Sequence, residues 1–291
     1  MRTPTLTLAS YARDYLARCT RLVRPQTRYK YEYALDRYVL PYVGALAVTA
    51  LTRQDGQAFI RTLEAKQYAP RTIRFAYDRL NSLMNDAADQ GVIAANPIAR
   101  LGKHLHRSVR AAEPYLPAEL QQFLATAATV SRWNGFFQAC GRAALRPGEG
   151  IGLQGEDCDL PRRRAMVRRT IRVGTRAGPP KDGPRVIELS ASLVQTLAPL
   201  VAARPAFLFL GRFGPVSYTT ILGEMRAVAT AAGLPYRSPH ALRKSCAVAL
   251  AHHDVSIEFI RRQLGHSSVA VTQRYLGPYL PFPRPAFLED F

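Results

Sequence analysis

The sequence predicts a mainly α-helical fold in two parts: a helical N-terminal half, and an α+β C-terminal half with a small antiparallel β-hairpin or sheet. Three observations predict it. In RTIRFAYDRLNSLMNDAADQG, residues Ile73, Ala76, Tyr77, Leu80, Leu83, Met84 and Ala87 recur at the three-and-four spacing of one helical face. Further on, AMVRRTIRVG and PRVIELS are short runs rich in β-branched residues, and they flank TRAGPPKDG, whose Gly and Pro suit a hairpin loop. Between the halves, residues 104–114 carry cations and two histidines and end at Pro114, which reads as a basic linker joining domains of 1–103 and 115–291. Two domains suit a chain of 291 residues that is 47% hydrophobic.

In the first domain, TRYKYEYALDRYVLPYV reads as a helix ending near Pro41, because proline cannot donate to the helical ladder. Thr52 or Asp55 is suited to cap the next helix, through QAFIRTLEAK. The helix beginning at Arg71 stops at Gly91, and Asn96-Pro97 makes a firmer break. Arg71, Arg74 and Arg79 project off its apolar face, and taken alone they read as a solvated surface. In the second domain, ELQQFLATAA and FFQACGRAAL read as helices, and Lys181 falls at the hairpin tip or just beyond it. Helix returns from Thr219 to Ala232 and from His240 to His252. Ile257, Ile260 and Leu264 face inward on a helix that ends at Gly265, and Ser267 or Ser268 caps another that carries Tyr275.

The charge balance narrows the class of partner. There are 40 Lys+Arg against 21 Asp+Glu, a formal net charge of +19, and only Lys30, Lys66, Lys103, Lys181 and Lys244 are lysines. The remaining cations are arginines, whose planar fork grips phosphate at two points. Such an excess points to a polyanion, nucleic acid foremost. Cys19, Cys140, Cys158 and Cys246 form no C-x-x-C pair, so neither a disulfide framework nor a zinc site is expected, and the expected location is the reducing cytoplasm. No run approaches the roughly 18 apolar residues of a membrane helix, and MRTPTLTLASYARDYL lacks a secretory leader's long apolar core.

GEGIGLQG, residues 148–155, has the G-x-G-x-x-G spacing of a dinucleotide-binding loop. That loop follows a strand and needs an acidic residue about 20 positions on. Here the upstream residues read as helix, and no Asp or Glu lies between Arg162 and Lys181. The nucleotide reading is therefore disfavoured. In SPHALRKSCAVALAHH, Pro239 suits a helix start, which puts His240 and Arg243 three apart on one face of the first turns. Together with the helix's positive end they can grip a phosphate.

Taken in order, HALR (240–243), LGHSS (264–268) and a tyrosine nine residues after His266 resemble the signature of the tyrosine recombinases, the phage integrase family that includes the Xer proteins. The family's earlier arginine lies in a G-L-R-x-G-E segment. LRPGEGIGLQGED resembles it through Leu145, Arg146, Gly148, Glu149, Leu153 and Asp157, with Arg142 as a competing candidate. PPKDGPRVIEL is similar to the family's lysine hairpin, with Lys181 as the match and Asp182 where Ser or Thr is usual. VLPYVGALAV, RTIRFAYDRL and GVIAANPI resemble the helical, SAM-like core-site-binding domain, so the resemblance covers nearly the whole chain, with no obvious arm-binding domain ahead of it.

The resemblance implies a site-specific DNA recombinase that cleaves and rejoins strands through a 3′-phosphotyrosyl bond made by Tyr275. It implies that Arg146, Arg243 and His266 stabilise the phosphorane, that His240 moves a proton, that Lys181 protonates the leaving 5′-oxygen, and that Glu149 orients Arg146. Cofactors and metals are not expected. The implied partner is double-stranded DNA, bound by a homo-tetramer on two sites with or without a second recombinase or accessory protein. Arg71, Arg74, Arg79, Lys103 and Arg107 are candidate DNA contacts. Phe287 and Leu288 of the tail are expected to dock on a neighbouring protomer. A type IB topoisomerase and a non-catalytic DNA-binding regulator on the same fold are the alternatives.

Overall fold

The computed structural model describes residues 6–23, 25–105, 113–171, 177–203 and 206–279. Arg107, most of the 104–114 segment, and the tail residues Phe287 and Leu288 lie outside them. The chain divides into two compact units, Met1–Val109 and Arg110–Phe291.

The first unit is helical. Helix α1 (Leu8–Leu22), which the sequence reading does not anticipate, is capped by Thr7, whose hydroxyl accepts from the Ser10 amide at 3.2 Å. Helix α2 (Pro25–Ala34) runs into one wide π-type turn over Leu35–Val39 and then α3 (Leu40–Val43). The helical run ends at Val43, two residues past Pro41 and so where a stop near it is expected. The Leu40 amide reaches back five residues to the Leu35 carbonyl, and a shifted ladder carries the chain past a proline that has no N–H to give. Helix α4 (Arg53–Ala65) begins in a capping box: Thr52 accepts from the Asp55 amide at 3.2 Å while the Asp55 carboxylate accepts from the Thr52 amide at 2.8 Å. Helix α5 (Pro70–Asp89) buries all seven residues of its predicted face, from Ile73 to Ala87, in a core shared with Leu8, Tyr11, Leu35 and Leu63. Gly102 lies so close to Tyr77 that a Cβ there would meet the ring at 2.2 Å, and the Tyr77 hydroxyl donates to the Ile98 carbonyl at 2.9 Å.

In the second unit, α6 (Pro117–Val130) and α7 (Asn134–Arg142) pack on each other. Helix α7 stops three residues before the expected Leu145, because Ala144 takes a left-handed φ of 54°. The short α8 (Pro147–Ile151) follows. Strands β1 (Cys158–Asp159), β2 (Arg164–Val167) and β3 (Arg185–Glu188) form an antiparallel sheet in that order, with Ala165 opposite Ile187 and both facing the core. Helix α9 (Ala191–Ala202) is also unanticipated; it carries Pro199 internally and is held by buried Leu193 and Leu197. A two-stranded ribbon, β4 (Leu210–Gly211) and β5 (Gly214–Pro215), leads to α10 (Tyr218–Ala231).

Helix α11 (Pro239–His252) packs against α6, α7 and α10 and then against α12 (Ile257–Leu264) and α13 (Val269–Leu276). Every residue from Ala241 to Val248 is buried. This makes α11 the central helix, and the charged groups within that stretch, Arg243 and Lys244, are delivered to the interior. Gln263 of α12 donates to the carbonyls of Ala143 and Glu188, at 3.2 and 2.9 Å, and accepts from the Glu188 amide at 3.0 Å. One buried amide thereby joins α12, the end of α7 and β3.

Candidate active site

The left-handed turn at Ala144 leaves Arg146 as the N-cap of α8 in extended backbone. Glu149, three residues on, folds back under it. Its carboxylate accepts from the Arg146 amide at 2.9 Å and from the Arg146 guanidinium at 2.9 Å. Arg185 comes in from β3 and donates both arms to the same carboxylate, at 2.9 and 2.7 Å, while Arg243 Nη1 lies 3.8 Å away. Burial pushes the Glu149 carboxyl up, but the Arg185 hydrogen bonds and the surrounding positive charge outweigh it and hold the group at about 2. Arg146 turns its other arm to the carboxylate of Asp182.

Arg243 sits one turn after His240 on α11. It is 3% exposed and donates to the Ala144 carbonyl at 2.7 Å and the Leu264 carbonyl at 2.5 Å. The guanidinium therefore ties the turn that presents Arg146 to the end of α12. Burial, then the charge of Arg146, brings it down to about 10. His240 keeps its rim in solvent. Its imidazole is held below the usual histidine range by partial desolvation and by Arg243 and Arg146.

Gly265 ends α12 at φ 68°, and His266 follows with its amide bonded to the Arg261 carbonyl at 3.1 Å. The His266 Nδ1 meets the Thr272 hydroxyl at 3.0 Å. Desolvation, then Arg243 and Arg146, depress the ring to about 4, so it is neutral near pH 7. Ser268 caps α13, and the Tyr275 ring stands edge to face with His266, centroids 5.3 Å apart at 82°. Burial raises the Tyr275 phenol, and Arg243 and Arg146 pull it back.

Arg146, Glu149, His240, Arg243, His266 and Tyr275 thus converge on one partly open place. Lys181 is exposed in the turn closed by the Gly183 amide on the Pro180 carbonyl at 3.3 Å, next to Asp182, and no hydrogen bond joins it to these six. Arg142 points elsewhere, donating to Gln138 at 2.6 Å. Asp157 is not part of the cluster: its carboxylate accepts from Arg169 at 2.7 Å and from the Gln154 amide at 3.0 Å. Two of the glycines of GEGIGLQG, Gly148 and Gly150, are packing devices. A Cβ on Gly150 would meet Phe136 at 3.0 Å, and one on Gly148 would meet the Ile171 carbonyl at 2.6 Å.

Sequence reasoning missed Arg185, the strongest partner of Glu149, and Thr272, the support of His266. Arg185 follows Pro184 in PRVIEL, where a cation on the first strand residue was the available signal. In the first unit, Arg71 and Lys103 are exposed. Arg74 donates to Asp78 at 2.9 Å and to the Gly102 carbonyl at 2.5 Å. The Arg79 guanidinium lies 4.1 Å over the Tyr31 ring, with Nε and Nη1 buried.

All four cysteines are free, no group of His, Cys, Asp or Glu among the described residues could hold a metal ion, and no helix among them is long and apolar enough to cross a membrane.

Comparison with known proteins gives the following matches. Residues 116–279 match the phage integrase family, and residues 7–63 match its N-terminal SAM-like domain. A tyrosine recombinase XerC-like protein of Caldanaerobacter subterraneus subsp. tengcongensis is 22% identical over 95% of this chain and 80% of its own. The tyrosine recombinase XerC of Rhodospirillum centenum is 36% identical over 45% of this chain and 38% of its own. Among solved structures, the Tn1549 transposon integrase in complex with a circular intermediate DNA superposes with a TM-score of 0.83 at 18% identity, covering 98% of each chain.

Proposed function

The chain belongs to the phage integrase family, and from that premise we propose that it is a site-specific DNA recombinase whose nucleophile is Tyr275. The observation that carries the proposal is the convergence on the Tyr275 side chain of Arg243, His266 and Arg146, the last held in place by Glu149.

A phenol is a poor nucleophile at neutral pH and needs a base or a positive field. Tyr275 attacks the scissile phosphorus, forming the phosphotyrosyl bond as the bond to the 5′-oxygen breaks. Arg146 and Arg243 take the non-bridging oxygens of the phosphorane, and neutral His266 donates beside them. Each such preorganised donor is worth about 3 kcal/mol of barrier. His240, held neutral near pH 7 by its surroundings, accepts the phenolic proton. Lys181 delivers a proton to the leaving 5′-oxygen as the turn carrying it closes on bound DNA. A 5′-hydroxyl from a partner strand then attacks the phosphotyrosine and restores the phenol, so the diester's energy is kept.

A net charge of +19 suits a duplex DNA partner gripped through its phosphates. Exposed Arg71 and Lys103 contribute to that grip. Exchange between two duplexes calls for four protomers on two sites. A nicked suicide duplex drawn from the DNA flanking the coding sequence tests the reading. A covalent adduct is expected and Tyr275→Phe abolishes it; absence of any adduct leaves a DNA-binding regulator. Rapid relaxation of a supercoiled plasmid without the site would instead indicate a topoisomerase.

A further inference from the structure

Lys244 follows Arg243 on α11, and the chemistry above does not use it. Lysine is almost never fully buried without a partner, yet this one is 4% exposed. Its ammonium lies 5.4 Å from the ring centroid of Tyr275 and 4.3 Å from that of Tyr279. The two tyrosines are four residues apart, on α13 and on the short turn Gly277–Tyr279 that follows it. The ammonium therefore spans the last turn of the segment that bears the nucleophile.

Resting on the assignment of Tyr275 as nucleophile, we propose that Lys244 is a positioning residue: set over the faces of Tyr275 and Tyr279, it fixes the phenol against α11 and favours the phenolate that attacks phosphorus. The attraction is of the cation–π kind while the phenol is neutral, and strengthens to a charge–charge interaction in a poorly solvated place once the proton leaves. The other ionisable groups facing Tyr275 divide the work differently. Arg243, also on α11, donates to two carbonyls and is the chief positive charge drawing the Tyr275 phenol down from the edge of the ring. Arg146, from the start of α8, is committed to Glu149 and Asp182. His266, from the α12–α13 joint, is neutral, and burial pushes the Cys246 thiol up to about 12, so it too is neutral. Lys244 adds a cation over the ring faces of both Tyr275 and Tyr279, where Arg243 and Arg146 do not lie.

The test uses the whole protein with its tyrosines labelled at Cζ, the Tyr275 signal being assigned with Tyr275→Phe. In Lys244→Met the midpoint of Tyr275 ionisation is expected to rise by about one unit, and in Lys244→Arg to stay within about half a unit. On the nicked duplex, Lys244→Met is expected to form adduct about tenfold more slowly near neutrality and to recover as pH rises, whereas Lys244→Arg retains the wild-type profile. An unmoved Tyr275 midpoint in Lys244→Met overturns the proposal, as does a pH profile merely scaled down in both variants. If the midpoint moves but the wild type forms no adduct, the coupling stands and the nucleophile assignment fails. Lys244→Gln carries the same test should the methionine variant not fold.

Discussion

Arg185 donates both arms of its guanidinium to the carboxylate of Glu149, at 2.9 and 2.7 Å, across 36 positions of sequence. The same carboxylate accepts from the amide and side chain of Arg146. The place of Arg146 is thus set by an arginine on a strand, through a glutamate whose side chain is 1% exposed. Removing Arg185 leaves a buried carboxylate short of its main partner, a loss of about 3–5 kcal/mol. Arg185→Leu is expected to lower the melting temperature steeply and to abolish adduct formation. Arg185→Lys keeps the charge but cannot make two parallel bonds, and should fall between.

Glu149 also sets a pH dependence of stability. Its carboxyl is held at about 2 against a usual 4.5, so on acidification the unfolded chain takes up the proton first. The stabilisation is complete above about 4.5 and is lost as pH falls toward about 2. Urea unfolding should show a wild-type advantage over Glu149→Gln that is constant near pH 6 and shrinks below about pH 4.5. An advantage independent of pH would count against the three-arginine arrangement.

Thr272 is fully buried and meets His266 Nδ1 at 3.0 Å, which holds the ring's tilt beside Tyr275. Thr272→Val keeps the shape and deletes the hydrogen bond, a loss of about 1 kcal/mol. Single-turnover cleavage is expected to slow by about fivefold with DNA affinity unchanged.

Asp182 places a carboxylate on the guanidinium assigned to the scissile phosphate. An anion bound there must be displaced before, or tolerated beside, another. Asp182→Asn is expected to tighten DNA binding by about two- to fivefold, in keeping with a partly solvated ion pair, and to steepen its dependence on salt. Weaker binding in a filter or anisotropy assay would show that the carboxylate supports Arg146 instead.

Gly265 combines a φ of 68° with a site where a Cβ would stand 2.6 Å from Arg185 Cδ. Gly265→Ala strains the α12 cap and pushes Arg185 off Glu149, so a loss of about 1–3 kcal/mol in stability is expected along with loss of cleavage. Gly233→Ala, also at positive φ but with nothing within 4 Å, is the comparison: it should cost stability and leave cleavage intact.

Caps and faces were legible in the sequence because they depend on residues within a turn or so. The capping box of Thr52 and Asp55, the left-handed stop at Gly265 and the cap at Ser268 are all decided within four positions. The buried face of α5 follows from spacing alone. The two-residue strand β1 carries too little local pattern to be seen, since its partner supplies most of its stability, whereas α9 has a Ser190 cap and a Leu193–Leu197 spacing that its internal Pro199 obscured. The end near Pro41 was legible, but the wide turn over Leu35–Val39 before it was not, because nothing local announces one.

By itself the sequence determined the order of the candidate residues: an arginine before a glutamate, a histidine and arginine on one turn, a histidine after a helix-ending glycine, and a tyrosine nine residues on. Only the tertiary structure decided that Arg146 rather than Arg142 faces the others, that Arg185 anchors Glu149, and that Lys244 lies over Tyr275. The reason is range. Backbone propensities act over a few residues, whereas these ion pairs and ring contacts join residues brought together by the packing of α11 against α7, α12 and α13 and by that of α12 on β3.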